Sequence, residues 1–204
     1  MSNVIRGLIF RFDDFLRRLY DIHEFTWEED CIFRLARKES KSDLTLSDGT
    51  KVRKGEAIGE LHLWNEHVPP MGSEGPNLRW GLEFYRLTWS SLVHLAEYVE
   101  REPQWKEIRA FGGETAFNAQ EGLEKVAKFM GRGGVDLEPL GRAKSPIKPF
   151  FEFWENIYNW ALIWAYNPAS LRSKNLIRLQ RARIWISRRT LLDRYGHGDR
   201  TGRS

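Results

Sequence analysis

The sequence predicts an α+β domain, in which a small antiparallel sheet packs with several helices and the C-terminal part is helical. Apolar residues recur at the helical spacing in residues 4–20 and in the stretch before Pro103. Between 31 and 64 they alternate with polar residues such as Arg34. With 204 residues, 41% of them hydrophobic and 29% charged, the chain has the composition of one globular domain.

Two glycine-containing turns organise the predicted sheet. Ser-Asp-Gly-Thr at 47–50 suits a two-residue hairpin, because Asp-Gly accepts positive φ angles. Arg-Lys-Gly-Glu at 53–56 supplies a second turn. We therefore expect the strand that holds Glu60 and His62 to pair antiparallel with the run from Leu44 to Val52.

The middle of the chain reads as a loop, a long helix and shorter elements. After a loop at 68–77 comes a helix of about 24 residues, whose apolar side is formed by Leu78, Leu82, Tyr85, Trp89, Leu92 and Leu95 or Ala96. Residues 107–117 predict a short strand that breaks at Gly112-Gly113. A helix closed by glycine and one more short strand are expected at 120–134 and 135–141.

The C-terminal part predicts two helices. Residues 149–166 are apolar except for one stripe, formed by Glu152, Glu155, Asn156 and Asn159, which favours a helix buried on most sides. Asn-Pro-Ala-Ser at 167–170 is typical of a helix start, so a basic amphipathic helix is expected up to residue 195. The expected organisation is a core domain at 1–148, these helices at 149–195, packed on the core or appended to it, and a disordered tail at 196–204.

Charge and cysteine content limit the class of protein. The single cysteine, Cys31, cannot form an internal disulfide. No signal peptide and no apolar run of about 18 residues is found, so a cytoplasmic protein without a spanning helix is expected. Residues 167–204 carry ten Lys/Arg and two Asp, a net charge of +8, which leaves −4 on the first 166 residues. Such a division predicts an anionic partner for the tail, or a tail docked on the body.

The strand around His62 is the main candidate site. Its alternation places Glu60, His62 and Trp64 on one face, and Asn65, Glu66 and His67 follow directly. A carboxylate beside an imidazole can move a proton, so His62 is the candidate base, Glu60 its assistant and Asn65 an orienting group. Trp64 and His67 are candidate binding residues. A hydrogen-bonded structural histidine is the alternative, and the ligand spacing predicts neither a metal nor a cofactor.

Two further segments offer candidate binding residues. The glycine pair before Glu114 could let backbone N–H groups approach a ligand, but a strand-to-helix turn is the more ordinary explanation and the nucleotide-binding motifs are missing. The basic helix could lie on an anionic membrane, bind nucleic-acid phosphates, or pack as a surface helix on the acidic body. The aromatic segment before it favours a membrane over nucleic acid. Its candidate contact residues are Arg178, Arg181, Trp185, Arg188 and Arg189.

The strand from Gly55 to Asn65 also resembles a known family. Its pattern, Gly-x-x-Ile-Gly-Glu-Leu-His-x-x-Asn, is similar to that of the YkoP-like family of bacterial proteins, over roughly residues 5–142. Members occur alone or joined to polysaccharide-deacetylase domains, which implies a setting in envelope glycan or glycolipid metabolism. The resemblance implies no activity, and this chain lacks a deacetylase Asp-His-His pattern.

Two hypotheses follow for function. The first is an accessory or binding domain, held peripherally at the inner face of the cell membrane, that meets a glycolipid headgroup or a protein such as a glycan-modifying enzyme. The second is a small enzyme that uses His62 with Glu60 as acid and base on an unknown substrate. They differ in what His62→Ala does: an enzyme loses activity and stays folded, whereas loss of a structural histidine costs stability.

Overall fold

The computed structural model describes residue 11 and residues 15–64, 66–70, 78–118, 130–139 and 179–196. The fold is α+β, as the sequence predicts. Its elements are the strands β1 (Phe33–Glu39), β2 (Leu44–Thr45), β3 (Lys51–Val52), β4 (Ala57–Leu63), β5 (Ala110–Asn118), β6 (Asp136–Pro139) and β7 (Leu179–Ser187), with the helices α1 (Leu78–Arg101) and α2 (Arg188–Tyr195). Residues 15–19 and 130–132 are also helical. Within the described residues, no helix combines the length and the apolarity that crossing a membrane requires.

The main sheet is mixed rather than purely antiparallel. Its five strands lie in the order β1-β4-β5-β7-β6, and the β4–β5 pair is parallel. The predicted hairpin at 47–50 is confirmed: β2 and β3 pair across it, with Gly49 at a φ of 83°. The predicted partner of β4 is wrong, because β4 pairs with β1 and β5, while β2 and β3 form a separate two-stranded sheet.

The two faces of the main sheet are covered differently. One face carries Phe33, Leu35, Leu61 and Phe111, which form the main core with the C-terminal half of α1. The opposite face is apolar only where the hairpin covers it, and there a second cluster forms from Leu44, Leu46, Val52, Ile58, Ala110 and Trp185. We call this second cluster the hairpin end. Elsewhere on that face, the described residues include the buried Ala36 and the charged Arg34, Glu60 and Arg183.

The glycines of β5 do not break the strand, contrary to the sequence prediction. β5 runs through Gly112 and Gly113 without interruption. A Cβ at Gly112 would collide with the Ile184 carbonyl and the Trp185 ring, and one at Gly113 with the Leu61 carbonyl. The glycines are therefore needed for close approach within the sheet, not for a turn.

The prediction of one basic helix over 170–195 is also wrong in the part of it that the structure describes. Residues 179–187 form β7, between β5 and β6 in the sheet, and only Arg188–Tyr195 is helical. Trp185, a candidate contact residue of that helix, is buried in the second cluster, and Leu191 is buried in the main core. The predicted helix at 149–166, the domain boundary at 148 and the tail at 196–204 fall mainly outside the described residues.

Other predicted elements are confirmed. The long helix has 24 residues and ends just before Pro103. The helical turn at 130–132 closes at Gly134, which adopts a φ of 77°, while the Val135 N–H donates to the Met130 carbonyl at 3.1 Å. Of the helix predicted at 4–20, residue 11 and residues 15–19 are described and helical.

Candidate functional site on the open sheet face

Glu60 and His62 form a hydrogen-bonded pair on the open face of β4. The His62 Nε2 atom lies 3.1 Å from Glu60 Oε2, and both side chains are about one-third exposed. The hydrogen bond from His62 lowers the pKa of the Glu60 carboxyl, and nearby Lys41 and Lys38 act in the same direction. Glu60 is therefore an ionised acceptor, and His62 donates through Nε2.

Arg34 is a buried cation beside this pair, where the sequence suggested an exposed position. It lies directly across from His62 in the β1–β4 register, and its side chain is 5% exposed. Two carboxylates hold its guanidinium, Glu24 at 2.9 Å and Glu66 at 3.4 Å. Because a buried cation needs partners, these contacts fix Arg34 in place.

Trp64 follows this pair directly after β4 and forms a group of rings with His67 and Trp27. Its ring stacks on His67 at 3.8 Å between centroids, and the Arg34 guanidinium lies 4.9 Å from its centroid. His67 Nδ1 donates to the Cys31 carbonyl at 2.8 Å. Trp27 contacts Trp64 edge-on at 6.5 Å and is itself 81% exposed.

We call this group the polar corner, and its members are Glu24, Trp27, Arg34, Glu60, His62, Trp64, Glu66 and His67. Trp64 also extends the sheet, because its N–H donates to the Ile32 carbonyl at 2.8 Å. The sequence pointed to Glu60, His62, Trp64 and His67, and the structure brings them together. Asn65 lies outside the described residues. Glu66, which the sequence also placed in this cluster, lies 3.4 Å from Arg34, whereas Glu24, Trp27 and Arg34 had been missed as members of the site.

The remaining candidate residues serve the sheet and its ends. Glu114 accepts from Arg183 on the neighbouring β7, at 2.9 Å. Trp185 is buried at the hairpin end. Arg188 donates to the Val99 carbonyl near the end of α1, and Arg189 pairs with Asp48 at 3.3 Å. The side chain of Arg181 and all of Arg178 lie outside what is described.

A second polar cluster joins the entry of β1 to α1. His94 Nε2 donates to Asp30 Oδ1 at 2.8 Å, and Ser90 donates to the other carboxylate oxygen. Partial burial raises the pKa of Asp30, but the hydrogen bonds from Ser90 and His94 outweigh it and the net shift is downward. Since both residues donate to the same carboxylate, the arrangement holds a turn against a helix and activates no nucleophile.

The described residues limit what chemistry the polar corner can perform. No three His, Cys, Asp or Glu side chains among them are grouped so as to hold a metal ion; the expected absence of a metal and a cofactor stays a prediction. Two small cavities, of about 20 Å³ and about 30 Å³, are lined mainly by core side chains, and neither is lined by Glu60 or His62. The Glu60–His62 pair, about one-third exposed, thus belongs to neither of these cavities.

Comparison with known proteins identifies relatives. A model of the YkoP domain matches residues 2–126, more than half of the chain. The "Uncharacterized protein YkoP" of Bacillus subtilis (strain 168) is 23% identical over 148 residues, which make up 71% of this chain and 73% of that protein. No solved structure matches the chain.

Proposed function

The chain belongs to the YkoP domain family, and we propose that it is a non-catalytic binding domain whose polar corner holds a saccharide of the bacterial envelope. The observation that carries the proposal is Trp27, which is 81% exposed although it is held edge-on against the buried Trp64. An exposed indole face is an apolar platform of the size of a sugar ring, and its burial on binding is favourable.

The chemistry beside Trp27 suits a ligand with many hydroxyl donors. An ionised Glu60 offers only acceptor oxygens, one of which accepts from His62. Hydroxyl and amino groups of a saccharide are the complementary donors. The setting that the family resemblance implies, envelope glycan metabolism, agrees with this ligand class.

The polar corner is also held rigidly, which favours binding. Arg34 is fixed by two carboxylates and the ring of Trp64, and Trp64 is stacked on His67. Groups that are already ordered lose little entropy when a ligand arrives. A pair that is about one-third exposed and lines neither of the two cavities of the described residues fits one segment of a longer glycan chain better than a small molecule.

The described part of the basic C-terminal segment packs on the protein itself and does not serve as a membrane anchor in this proposal. Trp185 is buried, and Arg183, Arg188 and Arg189 bind groups of the protein itself. Peripheral location at the inner membrane face, with a glycolipid headgroup as the saccharide, remains part of the proposal. In that location, residues other than these would contact the membrane.

The test is calorimetric titration of the full chain with oligomers of N-acetylglucosamine and of glucosamine. We expect Trp27→Ala to weaken binding roughly tenfold or more, because it removes the stacking platform. Leu78→Ala is the matched control, since Leu78 is also 81% exposed and lies on α1. Failure of both oligomers to bind, or equal losses in the two variants, would refute the proposal.

An enzyme is the second candidate, and the 3.1 Å hydrogen bond between His62 and Glu60 favours it. In this case the chain should cleave one of the same oligomers, and His62→Ala should abolish turnover while the protein stays folded. Mass spectrometry of the oligomers after incubation decides the matter. Unchanged oligomers that still bind would support the binding domain.

A further inference from the structure

A row of polar and charged side chains crosses the open face of the main sheet, beginning at the polar corner. We call it the charged stripe, and its members lie on four neighbouring strands, namely His62 on β4, Glu114 on β5, Arg183 on β7 and Glu138 on β6. Glu114 and Glu138 are the register partners of Arg183 in the β5–β7 and β6–β7 pairs. Three strand spacings of about 4.8 Å make the stripe about 14 Å long.

The parallel pairing of β4 with β5 places His62 beside Glu114. Glu60 and Gly112 are register partners, and the residue two positions further along each strand returns to the same face of the sheet. The close pairing continues beyond Glu60, because a Cβ at Gly113 would collide with the carbonyl of the residue after Glu60. The polar corner and the rest of the charged stripe therefore form one continuous surface.

The charged stripe is accessible along its whole length. The side chains of His62, Glu114 and Arg183 are 33%, 44% and 20% exposed, and Glu138 is exposed as well. The hairpin end borders the stripe on one side, since Trp185 lies two residues after Arg183 on β7. A long ligand thus finds an open floor with one wall on this face.

The hydrogen bonds of the charged stripe select the chemistry of that ligand. Arg183 is the cation of the stripe, and it donates through Nε at 3.2 Å and a terminal nitrogen at 2.9 Å to one oxygen of Glu114. The second oxygen of Glu114 has no donor among the described residues, and the carboxylate of Glu138 is a further acceptor. An anionic polymer needs unpaired cations, whereas hydroxyl groups need such acceptors.

We propose that the charged stripe continues the saccharide site of the polar corner, so that the domain binds about four consecutive units of a linear glycan without acidic groups. This inference rests on the proposed function. One ring lies on Trp27, and the following rings cross the sheet with hydroxyl groups bonded to Glu114 and Glu138. A ring of an extended glycan advances by roughly one strand spacing, so about three further rings reach Glu138. Because these contacts are linked to the first, they add affinity.

The test is calorimetric titration of the full chain with the disaccharide and the pentasaccharide of N-acetylglucosamine and of glucosamine. In the tighter-binding series, we expect the pentasaccharide to bind at least about tenfold more tightly than the disaccharide. Glu114→Gln and Glu138→Gln should each reduce this advantage severalfold and leave disaccharide affinity unchanged. Glu102→Gln is the matched control: Glu102 also pairs with an arginine, Arg101 at 3.3 Å, but it follows α1 on the other side of the sheet.

The outcomes separate this inference from the proposed function. Equal affinity for the two chain lengths, or equal losses for both lengths in the variants, would overturn the inference and leave the polar corner as the saccharide site. So would a length advantage that both variants retain in full, because it would come from extra registers on a single subsite. Tighter binding of a single-stranded oligonucleotide than of the pentasaccharide would also overturn it. If no saccharide binds, the proposed function falls as well.

Discussion

Two parts of the same sheet face differ in how they are covered. At the hairpin end, β2 and β3 lay Leu44, Leu46 and Val52 over Ile58, Ala110 and Trp185. At the polar corner, the face stays partly open. There Arg34 pairs with Glu24, and His62 pairs with Glu60. The hairpin end gains stability from apolar burial. The polar corner keeps polar groups ordered and accessible, which is what a binding surface requires.

One carboxylate attaches the hairpin to the rest of the protein. Asp48, in the β2–β3 turn, accepts from Ser187, from Thr190 at 3.1 Å and from the Thr50 N–H at 2.9 Å. Ser187 is the N-cap of α2. Partial burial raises the pKa of Asp48, but these hydrogen bonds outweigh it and hold the pKa far below its usual range. Asp48 is thus the structural counterpart of Glu60, which is ionised but left accessible.

The largest expected effect is at Gly112, which lies between the two parts, opposite Glu60 and Trp185. Gly112→Ala should lower the free energy of unfolding by about 3 kcal/mol, because the new methyl group collides with the Ile184 carbonyl and the Trp185 ring. Urea denaturation measures it. Gly81→Ala in α1 is the control: nothing lies within 4 Å of its Cβ, and we expect a gain of about 0.5–1 kcal/mol. Equal behaviour of the two variants would contradict the packing account.

Asp48→Asn should have the next largest effect and should act where the hairpin meets the start of α2. Losing a charged acceptor with several donors should cost about 1–3 kcal/mol. Since the folded-state pKa lies below the unfolded value of about 3.9, this stability is fully present above that value and is lost as the pH falls below it. Denaturation at neutral pH and at about pH 3 should therefore show the difference from wild type shrinking in acid. If the difference between wild type and variant were the same at both pH values, the charge of the Asp48 carboxylate would not be the source of this stability.

The control for Asp48 is Asp43→Asn in the same region. Asp43 accepts from the Lys54 N–H at 2.8 Å, but this bond is exposed. We expect a loss of less than about 0.5 kcal/mol and no marked pH dependence.

Arg34→Lys should have a moderate effect at the polar corner. Lysine keeps the charge but cannot reach Glu24 and Glu66 while covering Trp64, so we expect a loss of about 1 kcal/mol. Saccharide affinity should fall as well, because Trp64 and His67 lose a fixed neighbour. Calorimetry and urea denaturation of the same sample measure both quantities. A loss of stability with unchanged saccharide affinity would mean that Arg34 does not contribute to the binding surface.

The smallest stability effect is expected for Glu60→Gln. The Glu60–His62 pair is about one-third exposed, so removing its charge should change the free energy of unfolding by less than about 1 kcal/mol. Saccharide affinity should nevertheless fall, because one acceptor oxygen becomes a donor. An unfolding midpoint that drops as far as in Asp48→Asn would mean that Glu60 is structural.

The sequence was most informative where one local pattern had one meaning. α1 has a clear helical period and ends before Pro103, and the Asp-Gly turn requires the hairpin. β7 was misread because Ile177, Ile184 and Leu191 keep a helical spacing. The alternation of Ala182, Ile184 and Ile186 with arginines, which is the strand signal, lies in the same stretch.

The polar corner was predicted only in part, for a physical reason. Glu60, His62 and Trp64 follow from alternation within a single strand. The burial of Arg34 depends on Glu24, ten residues before it, and Glu66, thirty-two residues after it. A single sequence does not show such distant pairings, and a charge in a strand is usually exposed. The parallel β4–β5 pair escaped prediction likewise, because it joins segments separated by α1.

The most direct test of the account is an NMR titration of the ¹⁵N-labelled full chain with an N-acetylglucosamine or glucosamine oligomer. The account predicts that shift changes concentrate on the Trp27 indole N–H and on the backbone amides of His62, Trp64 and His67. The hairpin end, including Asp48 and Val52, should stay unchanged. Changes confined to the hairpin or to α1, or no changes at oligomer concentrations of about 1 mM, would contradict the claim that the open part of the sheet face is the binding surface.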